Sequence, residues 1–127
     1  MAGGYVGKLL NVDLTRRKVL VEDLDEAVAR QYIGGSGLAA RLIYDRVNPA
    51  VDPFAPENLL VFVTGPLTGT LSPSSGRYAA CAKSPLTGTW GESHSAGFWG
   101  PELKFAGFDG VLITGRSADP VYLWVQD

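Results

Sequence analysis

The sequence is nearly free of the residue types that build disulfide frameworks and metal centres. Its 127 residues include one cysteine, Cys81, and one histidine, His94. A single cysteine excludes an internal disulfide, and it excludes any zinc or iron–sulfur site that draws several cysteines from this chain. We therefore expect no metal centre of the multi-cysteine type within this chain.

Long apolar runs and clusters of positive charge are missing as well. No apolar run approaches the ~18 residues that span a membrane, and residues 1–5 lack the basic and apolar blocks of a signal peptide. The formal net charge is −2 at pH 7, with no basic stripe along the chain. These absences predict a soluble, cytoplasmic protein that binds neither membranes nor nucleic acid.

The residues that are present describe a folded and turn-rich domain. Hydrophobic residues make up 46% of the chain and charged residues 19%, which is unlike a disordered composition. The 16 glycines and 8 prolines predict many turns and close backbone approaches. The length predicts one domain over residues 1–127.

The hydrophobic pattern predicts an α+β fold of mixed β-sheets with a few short helices. Asp23 and Glu26 resemble a capping box at the start of the first helix, and Gly34 with Gly35 ends that helix. The order of elements suits an α+β domain better than a βαβ repeat. Apolar periodicity predicts strands at 6–14, 18–22, 59–64, 77–83, 90–93, 110–114 and 121–125, and helices at 24–32, 36–47 and 98–105.

One short sequence, Pro-Leu-Thr-Gly-Thr, occurs twice, at residues 66–70 and 85–89. Proline fixes φ and glycine supplies a positive φ, so both copies are predicted to be tight turns. They flank the strand predicted at 77–83, and we expect them to hold both of its ends.

The usual nucleophile and phosphate motifs are incomplete. Gly-Gly-Ser-Gly at 34–37 precedes a helix and could bind phosphate, but it lacks the lysine of a P-loop and follows a helix, which favours a structural turn. Cys81 and His94 could form a nucleophile pair, but the apolar strand around Cys81 favours a buried, inert thiol.

A better candidate for ligand binding is the segment 72–77, together with Lys83 and residues 94–97. Small side chains there leave backbone N–H groups accessible, and the guanidinium of Arg77 is suited to a phosphate or carboxylate. This combination favours a large, polar, anionic ligand. The alternatives are an Arg77 that bridges a surface carboxylate and a His94 that has a structural hydrogen-bonding role.

Six stretches, in order and spacing, resemble the N-terminal domain of the tungsten-containing aldehyde ferredoxin oxidoreductase family. The resemblance runs from Tyr5 to Asp127, and its motifs are specific only in combination. They are GGSGLA at 34–39, PFAPEN at 53–58, GPLTGT at 65–70, GRY at 76–78, KSPLTG at 83–88 and GPELKFAG at 100–107.

The resemblance implies a β-rich base that carries a tungsten (or molybdenum) bis-pterin cofactor, a tungstopterin of the molybdopterin type. The pterins supply the sulfur ligands of the metal, and a magnesium ion bridges their phosphates. The family oxidises aldehydes to carboxylic acids with water, passing electrons through a [4Fe-4S] iron–sulfur cluster to ferredoxin. Relatives act on other substrates, including reductive chemistry on aromatic acyl-thioesters.

The resemblance also implies which residues bind the cofactor. Arg77 matches the arginine that contacts the pterin and its phosphate. His94 stands where the family commonly has asparagine near the magnesium ion, and imidazole is a poor partner for magnesium. His94 could therefore donate to phosphate or expose only its backbone. Ala96 stands where glycine is common, and Ser95 and Gly97 complete the predicted cofactor-binding segment.

The chain is short for this family, so it is expected to be the first part of the N-terminal domain. Alone it is predicted to be inactive, with the [4Fe-4S] ligands downstream of it. Expected partners are the remainder of the parent oxidoreductase and ferredoxin or another electron-transfer protein, with a possible homo-oligomer. The alternatives are a non-catalytic phosphate- or pterin-binding or assembly module that docks on a separate catalytic chain, and a generic phosphate-binding domain.

Overall fold

The computed structural model describes residues 3–126, which form one six-stranded sheet and three helices. This arrangement confirms the predicted α+β class. The strands are β1 (Lys8–Asp13), β2 (Lys18–Asp23), β3 (Leu60–Thr64), β4 (Tyr78–Lys83), β5 (Trp90–Ser95) and β6 (Gly110–Thr114); the helices are α1 (Glu26–Tyr32), α2 (Gly35–Arg46) and α3 (Trp99–Phe105).

The strand order in the sheet is β2-β1-β6-β3-β4-β5. Neighbouring strands are antiparallel except β1 and β6, which run parallel, with Leu10 opposite Val111. The sheet therefore consists of an N-terminal hairpin and a β3–β4–β5 meander, joined through β6. The β5 strand lies at one edge, and its end leads into the segment predicted to bind the cofactor.

One face of the sheet packs against α1 and α2. This core contains Leu38 and Leu42 of α2 together with inward side chains from β1, β3, β4 and β6. The other face carries a smaller core in which Leu103 of α3 packs on Leu10, Val12 and Val111. Successive side chains of a strand point to opposite faces, so both faces of the central strands are apolar.

The junction between α1 and α2 is a sharp turn at the edge of the larger core. The carboxylate of Asp25 accepts hydrogen bonds from the backbone N–H groups of Ala27 and Val28 and so caps α1. Helix α1 ends at Ile33, whose φ is +65°, and α2 begins two residues later. The hydroxyl of Tyr5 donates to the carbonyls of Ala29 and Ile33, which fixes the N-terminal segment to this junction.

Two sequence predictions about these elements are wrong. Asp23 ends β2, and the cap of α1 is Asp25, because its side chain reaches the free N–H groups of the first turn. Residues 121–125 do not form a strand, since they have no ladder partner among residues 3–126. Among those residues, no helix has the length and apolar character needed to cross a membrane.

Candidate functional site

An open cavity of about 340 Å³ lies at the end of the sheet where β4 begins and β5 ends. Three parts of the chain form its wall: the α1–α2 junction, the loop 65–77, and the β4–β5 pair. Small and polar residues dominate the loop side. The lining residues are Ile33, Gly35, Gly65, Pro66, Leu67, Thr68, Ser72, Pro73, Ser74, Ser75, Arg77, Tyr78, Ala79 and His94.

Thr68 fixes the shape of the loop 65–77. Its buried hydroxyl accepts from the backbone N–H of Gly65 at 3.1 Å and donates to the carbonyl of Arg77 at 3.0 Å. The copy of the same five residues at 85–89 is an exposed turn, where the hydroxyl of Ser84 accepts from Leu86 and Thr87. Both copies are turns, as predicted, but only the first shapes the cavity.

A close backbone contact joins this loop to the segment after β5. A Cβ placed on Gly76 would lie 2.5 Å from the carbonyl oxygen of Gly97, a distance no side chain tolerates. Gly97 itself has φ +104°, and a Cβ there would meet no atom within 4 Å among residues 3–126. Glycine is thus required at position 76 for approach and at position 97 for conformation, and the peptide at Gly97 borders open space.

Arg77 follows this contact directly, and its exposed side chain lines the cavity. Its guanidinium has no hydrogen bond or ion pair with any residue in the range 3–126, so the alternative of a bridge to a surface carboxylate is not observed. Five N–H donors in a planar fork are therefore available to an anionic ligand.

The structure separates the residues predicted at 94–97. His94 and Ser95 belong to β5 rather than to a loop, and they pair with Ala79 and Tyr78. Because neighbouring residues of a strand face opposite ways, His94 points to the α2 side and lines the cavity, whereas Ser95 points to the other side. Ser95, Ala96 and Gly97 do not line this cavity.

Glu92 is the residue of this region that the sequence analysis missed. Its carboxylate accepts from the Ser36 hydroxyl at 2.7 Å and from the Trp90 indole N–H at 2.7 Å, and it forms a short contact with Nε2 of His94. These hydrogen bonds lower the pKa of Glu92 to about 2, and the one from Ser36 has the largest effect. The alternation of Trp90, Glu92 and His94 along one strand is the signal that could have revealed it.

This cluster is not a hydrolase triad. The hydroxyl of Ser36 donates to Glu92, and its distance to Nε2 of His94 is 3.4 Å. In a nucleophile triad the serine donates to histidine and the carboxylate holds the second ring nitrogen. Here both contacts converge on one oxygen of Glu92, so the cluster can orient His94 but does not activate Ser36.

Two other candidates have structural roles. Lys83 was grouped with the ligand-binding residues, but its ammonium donates to the carbonyls of Pro49 and Val51, each at 2.7 Å, and so fixes the connector after α2. Cys81 lies in the larger core, where burial raises the pKa of its thiol to about 11. That pKa keeps the sulfur protonated at neutral pH and removes it as a nucleophile.

The fold and this site define a class of α+β module that has an open, polar cavity at one end of its sheet. Residues 9–127 match the family model described as the N-terminal domain of aldehyde ferredoxin oxidoreductase. The chain therefore belongs to the aldehyde ferredoxin oxidoreductase N-terminal domain family, as its sequence motifs predicted.

Individual relatives agree with this assignment. The chain is 46% identical over 124 residues to a tungsten-containing aldehyde ferredoxin oxidoreductase of Pyrococcus abyssi, covering 98% of this chain and 20% of that protein. It is 40% identical over 126 residues to the WOR-like subunit of an aliphatic sulfonate oxidoreductase of Pyrococcus furiosus, covering 97% and 20%. The chain thus spans about a fifth of the length of these relatives.

A solved structure has the same fold. The match is to the active-site complex BamBC of benzoyl coenzyme A reductase in complex with 1,5-dienoyl-CoA, with a TM-score of 0.95 and 40% sequence identity. It covers 98% of this chain and 19% of that one. The relatives are oxidoreductases, and a tungsten-containing family implies a tungsten pterin cofactor.

The residues present fit such a group. No set of three or more His, Cys, Asp or Glu side chains within 3–126 is placed to hold a metal ion. The cavity instead offers a guanidinium with no partner in that range, an imidazole and small serine and glycine residues. These are donors for phosphate oxygens, which suits a cofactor that carries its own sulfur ligands and is held by its phosphates.

Proposed function

We propose that this chain is the N-terminal, cofactor-cradling part of a tungsten-dependent oxidoreductase, with residues 1–127 forming the first part of its cofactor-binding domain. The single observation that carries the proposal is the guanidinium of Arg77, which lines a polar cavity and has no partner among residues 3–126. Family membership supplies the cofactor class, and the cavity supplies a place where its anionic groups can be held.

Arg77 would hold a cofactor phosphate through the N–H donors of its guanidinium, which can fix the orientation of the phosphate as well as its position. His94 lines the same cavity with its imidazole, and Ser95, Ala96 and Gly97, which do not line the cavity, would contact the cofactor from the end of β5. The contact between Gly76 and Gly97 keeps Arg77 close to the end of β5. A magnesium ion would neutralise charge on the cofactor phosphates that these residues hold.

When bound, the tungsten (or molybdenum) bis-pterin supplies two-electron redox chemistry. In the proposed reaction an aldehyde and one water give a carboxylic acid, two protons and two electrons. A [4Fe-4S] cluster would supply electron transfer onward to ferredoxin or another electron-transfer protein. The cluster ligands come from elsewhere in the oxidoreductase, because Cys81 is a buried thiol in a core. The proposed location is the cytoplasm.

The test is the tungsten content of the complete oxidoreductase that carries this sequence. Arg77→Ala removes the charged partner of a cofactor phosphate, so we expect metal per protein to fall at least about tenfold, the scale of one or two charge-assisted hydrogen bonds. Arg116→Ala is the matched control, because Arg116 is exposed and lies outside the cavity lining.

Full tungsten content in the Arg77→Ala protein would refute this role. That result would favour the alternative, a non-catalytic phosphate-binding or assembly module on a separate catalytic chain. Protection of the chain against heating by simple nucleotides would point to a generic phosphate-binding domain.

A further inference from the structure

Three side chains of β5 and one of α2 form a hydrogen-bonded group beside the cavity. Trp90, Glu92 and His94 alternate along the strand and therefore share a face, while Ser36 reaches them from the first turn of α2. The carboxylate of Glu92 is the common acceptor for all three partners. Only one of these residues, His94, also lines the cavity with Arg77.

The hydrogen-bond directions determine which nitrogen of the imidazole carries a proton. A carboxylate only accepts, and Glu92 has the hydroxyl proton of Ser36 on the same oxygen that contacts Nε2 of His94. Nε2 must therefore be the N–H nitrogen. The other nitrogen, Nδ1, has no hydrogen-bond partner among residues 3–126. It is the ring nitrogen left for a ligand.

Resting on the proposed function, we infer that Glu92 is a positioning residue for His94. Its carboxylate accepts from Nε2–H of the ring and leaves Nδ1 free for the cavity. An oxyanion of the phosphate class then binds at Nδ1, and Nδ1 takes up a proton as the anion binds. The side chain of His94, and not only its backbone, then contacts the ligand. A neutral Nδ1 presents a lone pair, which repels an oxyanion, whereas a protonated Nδ1 donates to it.

The charged groups around the ring of His94 determine whether anion binding becomes stronger or weaker as the pH falls. Glu92, on the same strand, places its carboxylate against the ring, and α2 contributes the uncharged Ser36. Among the described residues that line the cavity, the titratable side chains are His94, Arg77 from the loop before β4, and Tyr78 of β4. An arginine keeps its charge throughout the pH range of the experiment, so a change of anion binding with pH reports on the ring of His94.

The experiment uses inorganic sulfate as the probe, because sulfate mimics phosphate and stays doubly charged between pH 5.5 and 8. His94 is the only histidine of the 127-residue chain, so its ring signals in proton–nitrogen NMR are unambiguous. We expect the Nε2–H tautomer in the free chain. We expect sulfate to bind about tenfold more tightly at pH 5.5 than at pH 8, the scale of one charge-assisted hydrogen bond.

Glu92→Gln is the decisive variant. A carboxamide with its oxygen held by the Trp90 indole presents its NH₂ group to Nε2, which moves the ring proton to Nδ1. The variant should show the Nδ1–H tautomer and a sulfate affinity that changes less than about threefold over the same pH range. Glu57→Gln, at an exposed site outside the cavity lining, should behave as the unmodified chain does.

An Nδ1–H tautomer in the unmodified chain would overturn the inference, and so would sulfate binding of equal strength at both pH values. If Glu92→Gln fails to fold, His94→Asn decides the question: it should abolish the pH dependence while Arg77 still binds sulfate. These readouts need no tungsten. If sulfate binding does not depend on pH but Arg77→Ala loses tungsten, the inference about Glu92 is wrong and the proposed function stands. If sulfate binding depends on pH as expected but Arg77→Ala keeps its tungsten, only the proposed function is wrong.

Discussion

Asp109 is a buried charged residue outside the cavity. Its carboxylate accepts from the ammonium of Lys104 at 2.7 Å and from the backbone N–H groups of Val6 and Gly7. The side chains of Asp109 and Lys104 are only 2% and 7% exposed. This group joins the N-terminal segment to the end of α3 and the start of β6.

Replacing Asp109 with asparagine should destabilise the chain by about 3 kcal/mol, because it leaves the ammonium of Lys104 buried without a counter-charge. Urea unfolding measures the loss. Asp119→Asn, in the exposed loop after β6, should change the free energy of unfolding by less than about 0.5 kcal/mol. Equal stabilities for the two variants would contradict the role assigned to Asp109.

At the residue scale, sequence reasoning found Arg77 because a guanidinium among glycines and serines is informative without coordinates. It misassigned Lys83, since the carbonyls that bind its ammonium lie more than thirty positions away. It missed Glu92, because the sequence does not show that Ser36, on a different element, donates a hydrogen bond to this glutamate. The roles of Arg77, His94, Ser95, Ala96 and Gly97 in cofactor binding stay predictions.

Between elements, the contact of Gly76 with Gly97 is the main device that positions the site. Gly100, at the start of α3, also lies close to this point, since a Cβ there would be 3.3 Å from the carbonyl oxygen of Gly76. Three segments that carry no large side chains at this point therefore meet backbone to backbone. The loop 65–77, the end of β5 and α3 depend on one another.

Gly76→Ala should push the loop away from Gly97 and cost about 1–3 kcal/mol, the usual range for an added carbon in a tight contact. The same variant should weaken sulfate binding at Arg77, which a general loss of stability in a still-folded chain would not do. Thermal unfolding and sulfate titration by NMR give the two readouts. Gly3→Ala is the control, because a Cβ there meets nothing within 4 Å.

At the element scale, the order and type of nearly every strand and helix could be read from the sequence, since most have an apolar pattern or are bounded by glycine and proline. The boundaries of α1 could not, because Asp23 and Asp25 both resemble a cap and only the backbone decides which carboxylate reaches the first turn. The strand predicted at 121–125 failed for a different reason. Strand propensity does not supply a neighbour with which to pair.

Considered whole, the sheet has one face covered by α1 and α2, and a second face that carries α3 and has a large apolar exposure. A groove of about 510 Å³ on the second face is lined by aromatic side chains, including Trp99, Phe105 and Trp124. Phe105 is 61% exposed and Trp124 is 75% exposed. Apolar surface of this extent on a small domain favours association.

The 127-residue chain is therefore expected to self-associate, and sedimentation velocity at increasing concentration should show a rising average mass. Replacing Phe105 and Trp124 with serine should restore a monomer without loss of fold, because both side chains are mostly exposed. A concentration-independent monomer for the unmodified chain would contradict the prediction.

The parallel pairing of β1 with β6 has a further consequence for how the chain reaches this shape during synthesis. Residues 9–13 wait for residues 110–114 to leave the ribosome before the two halves of the sheet can join. Until then the N-terminal hairpin and the β3–β4–β5 meander are separate units, and each has a strand edge with unpaired backbone N–H and C=O groups. Strand pairs between such distant segments form slowly. The nascent chain is therefore most prone to aggregate before β1 and β6 pair, and chaperones that cover unpaired strand edges would act at that stage.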